Sequence, residues 1–139
     1  MVEIELCDWT RARSEASRIR FAVFVQEQGV PAEIELDEHD ATCVHALASV
    51  ENTLVGTARL LPDGHIGRMA VLKDWRGRGV GAALLRALID RARERGDAKL
   101  LLSAQVHALA FYRAHGFLAE GPVYEEAGIP HQAMHLRLR

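Results

Sequence analysis

The run Arg76-Gly77-Arg78-Gly79-Val80-Gly81 is where residue type and spacing point most directly to chemistry. It follows an apolar stretch, Met69–Leu72, and opens a segment whose apolar spacing predicts a helix over 80–95. Glycines at such a junction let the backbone curl tightly and come close to a ligand. The first amides of a helix have no intrahelical partner and face outward, and the helix dipole adds partial positive charge there. Together they make an anion site, to which Arg76 and Arg78 add full charges able to fork onto phosphate oxygens. The implied guest is a phosphate or a diphosphate.

Other readings of these letters compete. A Walker loop needs Lys-Ser or Lys-Thr after its last glycine, and Ala82-Ala83 stand there instead. Gly77-Arg78-Gly79-Val80-Gly81-Ala82 does satisfy the dinucleotide pattern G-x-G-x-x-A, and Asp97 follows Gly77 by twenty positions. Its context fails, because Lys73-Asp74-Trp75-Arg76 separates the strand from the first glycine. Asp97 also precedes the next strand rather than ending it, where it cannot reach a ribose. A tight turn with merely solvated arginines is the bland alternative.

Elsewhere the candidates are more scattered. The acidic run Glu33, Glu35, Asp37, Glu38 and Asp40 has two readings, a local field that attracts a cationic amine and a solvated loop. Asp37, His39 and Asp40 lack any recognised ligand spacing, so no metal is expected. His131 follows Pro130 and precedes a strand, which can aim an imidazole into a pocket or simply leave it structural. Cys7 and Cys43 lack zinc-site spacing and read as free thiols, Cys43 as an ordinary buried one beside Val44. His107 and His115 read as polar surface or as a charge partner for a helix C-terminus.

The elements that must position these groups follow from patterning. The chain has 139 residues, enough for one domain spanning 1–139, and is 49% hydrophobic and 26% charged, as ordinary globular chains are. A net charge of -2 gives no overall field for nucleic acid. A basic face from Arg11, Arg13, Arg18 and Arg20 is opposed by Glu3, Glu5 and Glu15. No apolar run approaches the ~20 residues of a membrane span. The opening MVEIELCDW carries acids where a secretory signal has a positive end, so the cytoplasm is the expected compartment. Strands are predicted at 2–6, 44–50, 53–61, 65–72, 99–102, 117–119 and 133–138. Helices are predicted after Asp8 or Thr10, over 80–95 and over 105–115. A hairpin meander followed by β-α-β-α-β is an α/β or α+β fold with a mixed sheet.

The chain resembles the GNAT superfamily of N-acetyltransferases. Arg76, Gly79 and Gly81 match that family's Arg/Gln-x-x-Gly-x-Gly/Ala turn, which binds the diphosphate of acetyl-coenzyme A. Arg68-Met69-Ala70-Val71 resembles its fourth strand, and Gln105-x-x-Ala108-x-x-Phe111-Tyr112-x-x-x-Gly116-Phe117 its N-x-x-A-x-x-F-Y-x-x-x-G-F block, with Gln105 in place of the usual Asn. Phe21-x-x-Phe24-x-x-Glu27-Gln28-Gly29-x-Pro31, Glu35-x-Asp37 and Gly128-Ile129-Pro130-His131-x-x-Met134 resemble the small bacterial YjcF-like (ElaA-like) branch.

The resemblance implies a mixed, mostly antiparallel sheet of six to seven strands flanked by about four helices. It implies acetyl-coenzyme A as co-substrate, held by Met69, Ala70, Val71, Arg76, Gly77, Arg78, Gly79, Val80, Gly81, Ala82, Gln105 and Tyr112. It implies direct attack on the thioester by the amine of a small molecule, with Tyr112 as general acid. Glu27, Asp37, His39, Glu126 and His131 stand as candidate bases, with Glu35, Asp37 and Glu126 on the acceptor side. The alternative is a catalytically silent acyl-coenzyme A-binding sensor or partner module. No nucleic-acid or membrane partner is expected, and pairing of a terminal strand makes a homodimer reasonable.

Overall fold

Alternating apolar and acidic residues in Val2–Cys7 give β1, a half-buried strand. Asp8 then caps α1 (Trp9–Arg20), its carboxylate accepting from the Arg11 amide at 3.0 Å. The helix buries Ala12, Ala16 and Ile19 and runs on into a π-helical segment, Phe21–Glu27. Gly29, at φ +75°, turns the chain away. The short helix α2 (Ala32–Glu35) and a 3-10 turn over Glu38–Thr42 lead to the sheet. This computed structural model describes residues 1–35 and 37–139.

The described strands β2 (Val44–Val50), β3 (Thr53–Leu60), β4 (His65–Val71), β5 (Lys99–Gln105), β6 (Leu118–Glu126) and β7 (Ile129–Arg137) complete one seven-stranded sheet with β1. Its order is β1-β2-β3-β4-β5-β7-β6, with β4 and β5 parallel and the other pairs antiparallel. Glu51 and Asn52, both at positive φ, close the β2–β3 hairpin with the twist such a two-residue turn requires. The helix α3 (Val80–Arg95) joins β4 to β5, and α4 (Leu109–Ala114) follows β5.

Strand alternation sorts the core onto two faces. Ala46, Ala48, Val55 and Ala58 pack with Leu84, Leu85, Leu88 and Ile89 of α3, together with Leu100, Leu102, Phe117 and Met134. Leu47, Leu54 and Ala70 pack instead with Ala12, Ala16, Ile19 and Val23 of α1 and its π-helical extension. No helix among the described residues is long and apolar enough to cross a membrane.

The closing strands differ from expectation. Those predicted at 117–119 and 133–138 are the ends of a long β6–β7 hairpin turning at Ala127-Gly128. β6 is an edge strand exposed along most of its length, so it needs no apolar alternation and shows none. β5 likewise runs past its apolar part to Gln105. The helix predicted over 105–115 starts as a 3-10 turn, Val106–Ala108, before α4.

Candidate active site

The parallel strands β4 and β5 pair at His65↔Leu101 and Ile66↔Leu102, and their register stops there. Beyond it no pairing joins the two strands, so 67–71 and 103–105 have no strand partner on the edges that face each other. β4 also carries a bulge. Thr57↔Ala70 and Arg59↔Gly67 set two steps of β3 against three of β4, and Arg68 sits at φ +48°. A bulge breaks the ladder locally and re-aims backbone groups.

The glycine-rich turn stands where β4 ends. A 3-10 turn, Lys73–Trp75, leads to Arg76, and Gly77 and Gly79 both take the left-handed conformation before α3 begins. No side chain caps α3, and a Cβ added at Gly77 or Gly79 would meet nothing within 4 Å. The space beside Gly77 and Gly79 is open, and the first amides of α3 lack an intrahelical partner. A Cβ at Gly81 would lie 3.4 Å from the Phe111 ring, so that glycine serves the packing of α3 against α4. The Arg78 guanidinium lies 5.0 Å from the centre of the Trp75 ring.

Arg76 does not reach over the turn. Its Nε donates to the Val71 carbonyl at 2.9 Å, and its Nη1 and Nη2 fork onto Glu27 at 2.6 and 2.7 Å. These hydrogen bonds hold the Glu27 carboxyl below its ordinary value. A carboxylate stabilised in this way is a poor proton acceptor.

Tyr112 of α4 packs edge-on against Phe111 and Phe117. Its hydroxyl points at Met69 Sδ of β4, 3.8 Å away. A thioether is a weak acceptor, so this phenol has a proton with no strong claim on it. Burial pushes its pKa up to about 12, which keeps the phenol protonated through the neutral range.

At the end of β5, Gln105 and Gln28 form a reciprocal amide pair at 3.0 and 3.3 Å, and His107 Nε2 lies 2.6 Å from Gln105 Oε1. His131 stands beside Gln105 across the β5–β7 register, and Tyr124 stands beside His131 across β6–β7. The His131 and Tyr124 rings stack at 6.2 Å. His131 Nδ1 lies 2.7 Å from the Ile129 carbonyl oxygen. A carbonyl can only accept, so Nδ1 carries the proton and Nε2 of the neutral ring holds the lone pair. Glu126 lies 3.7 Å from that Nε2. Ser103 and Tyr124 share a hydroxyl–hydroxyl hydrogen bond on the same face.

Within the acidic run Glu33 and Glu38 are exposed, whereas Glu35, Asp37 and Asp40 are taken up by arginines. Arg20 is 1% exposed and bonds Glu35 (5% exposed) through Nε, and both oxygens of Asp40 (2% exposed) at 2.9 and 3.0 Å. Arg59 forks onto Asp37 at 2.7 and 2.8 Å and also reaches Asp40 at 2.9 Å. Arg68 reaches the Glu35 carbonyl and Asp37 at 3.1 and 3.2 Å. The hydrogen bonds from Arg59 hold the Asp37 carboxyl at about 2. His39 lies on the exposed 3-10 turn, where its backbone amide donates to Asp37. Cys43 is buried, and burial raises its thiol to about 11. Among the described residues no three His, Cys, Asp or Glu side chains stand together as a metal site.

Arg20 and Arg59 carry no motif, and only their burial reveals them, while Arg68 belongs to the fourth-strand motif and is half-buried beside them. Gln28 stands in the branch motif, but nothing local in the sequence pairs it with Gln105. A surface depression of about 380 Å³ lies elsewhere, between α1 and the segment 31–40, and shares no lining residue with the turn or with Tyr112.

This chain belongs to the GNAT acetyltransferases. The family model for the acetyltransferase (GNAT) domain matches residues 12–138. The Bacillus subtilis (strain 168) uncharacterized N-acetyltransferase YjcF is 37% identical over 124 residues, covering 86% of this chain and 89% of that protein. Protein ElaA of Escherichia coli (strain K12) is 35% identical over 125 residues, covering 84% and 82%. The crystal structure of Escherichia coli ElaA superposes with a TM-score of 0.86 at 32% identity, covering 99% of this chain and 100% of that one. That of an acyl-CoA N-acyltransferase from Pseudomonas aeruginosa gives 0.85 at 29% identity, covering 98% and 99%.

Proposed function

We propose that this chain is an acetyl-coenzyme A-dependent N-acetyltransferase that acts on a primary amine of a small molecule by direct attack in a ternary complex. The observation that carries the reading is the unpaired facing edges of β4 and β5, with the glycine turn where β4 ends and the Tyr112 hydroxyl facing Met69. The residues present suit the co-substrate. The amides of Gly79, Val80, Gly81 and Ala82, with Arg76 and Arg78, match a diphosphate, and Gly77 leaves its approach open. The backbone of Met69, Ala70 and Val71 and the Gln105 amide match an extended arm that carries amides of its own.

When bound, acetyl-coenzyme A supplies a thioester whose acetyl carbon accepts the amine and whose sulfur departs. The chain has three tasks around it. Tyr112 Oη gives up its proton to the departing sulfur. A main-chain amide of 69–71, re-aimed by the bulge at Arg68, donates to the carbonyl oxygen where charge develops. His131 Nε2, whose lone pair is fixed by the bond at Nδ1, takes the proton of the acceptor ammonium directly or through water. Glu27 is the weaker choice of base, since both its oxygens are engaged by Arg76. Glu126 is exposed beside His131 and is the carboxylate assigned to the cationic acceptor. Glu35 and Asp37 face guanidinium groups instead.

The test is thiol release from acetyl-coenzyme A across a panel of primary amines. Tyr112→Phe is expected to lower turnover by roughly 100-fold or more, with coenzyme A affinity within about twofold of the parent. Unchanged turnover would remove Tyr112 as the acid.

A further inference from the structure

Arg76 belongs to the diphosphate turn by sequence position, yet its guanidinium is committed to the Glu27 carboxylate. Three of its five N–H groups are used, one on Val71 O and two in the fork on Glu27. The pair is exposed, Arg76 at 39% and Glu27 at 35%, and such pairs hold their partners only a few-fold. A diphosphate at the open amides of α3 offers the same guanidinium more negative charge than one carboxylate does. It meets the helix N-terminus at the same time. The Nε bond to Val71 anchors the arginine at the turn, so an exchange of partners turns its Nη groups toward α3 as the carboxylate moves away. Room for that movement exists. A recess of about 280 Å³ is lined by Glu27, Leu72, Lys73, Asp74 and Trp75, in which the Lys73 ammonium favours an ionised Glu27 and the Asp74 carboxylate is a like charge.

We propose that Glu27 and a bound diphosphate compete for Arg76, so that the Glu27–Arg76 fork is an internal brake on the cofactor turn that binding releases. The proposal rests on the reading of the turn as a diphosphate site. It makes Glu27 a positioning residue that acts through Arg76. The opposite role is equally concrete. A fork that pre-orients Arg76 would leave two N–H groups for phosphate and would assist binding.

The sign of one substitution separates these roles. Coenzyme A binding is measured by calorimetry on the parent chain and on Glu27→Gln, which keeps the side chain's shape. Competition is expected to make Glu27→Gln bind roughly two- to fivefold more tightly, the strength of an exposed ion pair. The gain should shrink as ionic strength rises. It should vanish for pantetheine, which lacks the diphosphate, and in an Arg76→Gln background. Weaker or unchanged binding of coenzyme A by Glu27→Gln would overturn the proposal while leaving the functional reading in place. Failure of the parent chain to bind coenzyme A at all would overturn both. Should Glu27→Gln not fold, the carbon-13 titration of the Glu27 carboxyl in the parent chain decides. Its midpoint is expected to rise toward the ordinary value when coenzyme A saturates the site. An unmoved midpoint would overturn the competition.

Discussion

The Asp37 carboxyl is held at about 2 because the Arg59 guanidinium forks onto both of its oxygens. A carboxyl whose folded value lies below its unfolded value adds stability above the unfolded value, near 3.8, and loses it as pH falls toward 2. The parent chain is therefore expected to exceed Asp37→Asn in stability by about 2 kcal/mol at neutral pH. Most of that margin should disappear between pH about 4 and about 2. Urea unfolding of both chains at pH 7, 4 and 2.5 checks it, and a margin independent of pH would contradict the assignment. Tyr112 shows the same logic with the opposite sign. Burial alone raises its phenol, which keeps its proton through the neutral range.

At the scale of elements, the cluster of Arg20, Arg59 and Arg68 with Glu35, Asp37 and Asp40 fastens the segment after α2 to α1, β3 and β4. Arg20→Met would leave Glu35 and Asp40 buried without their closest cation, and is expected to cost about 3–5 kcal/mol in urea unfolding. Arg11→Met, whose partners Glu5 and Glu15 are exposed, should cost far less. Equal costs would mean that the buried cluster does not anchor the segment. The sequence concealed this cluster because an arginine bound for the interior looks like one bound for solvent. By contrast α3 was readable to the residue. Its apolar face is continuous, and Gly79 and Gly96, both left-handed, bound it.

Across the whole molecule, legibility followed the origin of each signal. The meander β2–β3–β4, the crossover through α3 and the glycine turn are written in local periodicity and local breakers, and they appeared where expected. Features that depend on distant partners did not. Glu27 and Arg76 lie 49 positions apart, and Gln28 and Gln105 lie 77 apart, so neither pairing leaves a local trace. The unpaired edges of β4 and β5 are likewise a property of where pairing stops, which no single segment records. Calorimetry with acetyl-coenzyme A, set against pantetheine and NAD, tests the central claim most directly. Binding of acetyl-coenzyme A with pantetheine much weaker and NAD silent is the expected result, since the diphosphate turn and the unpaired strand edges would then act together. Equal binding of pantetheine, or no binding of acetyl-coenzyme A, would contradict the assignment of Arg76–Gly81 as the diphosphate site.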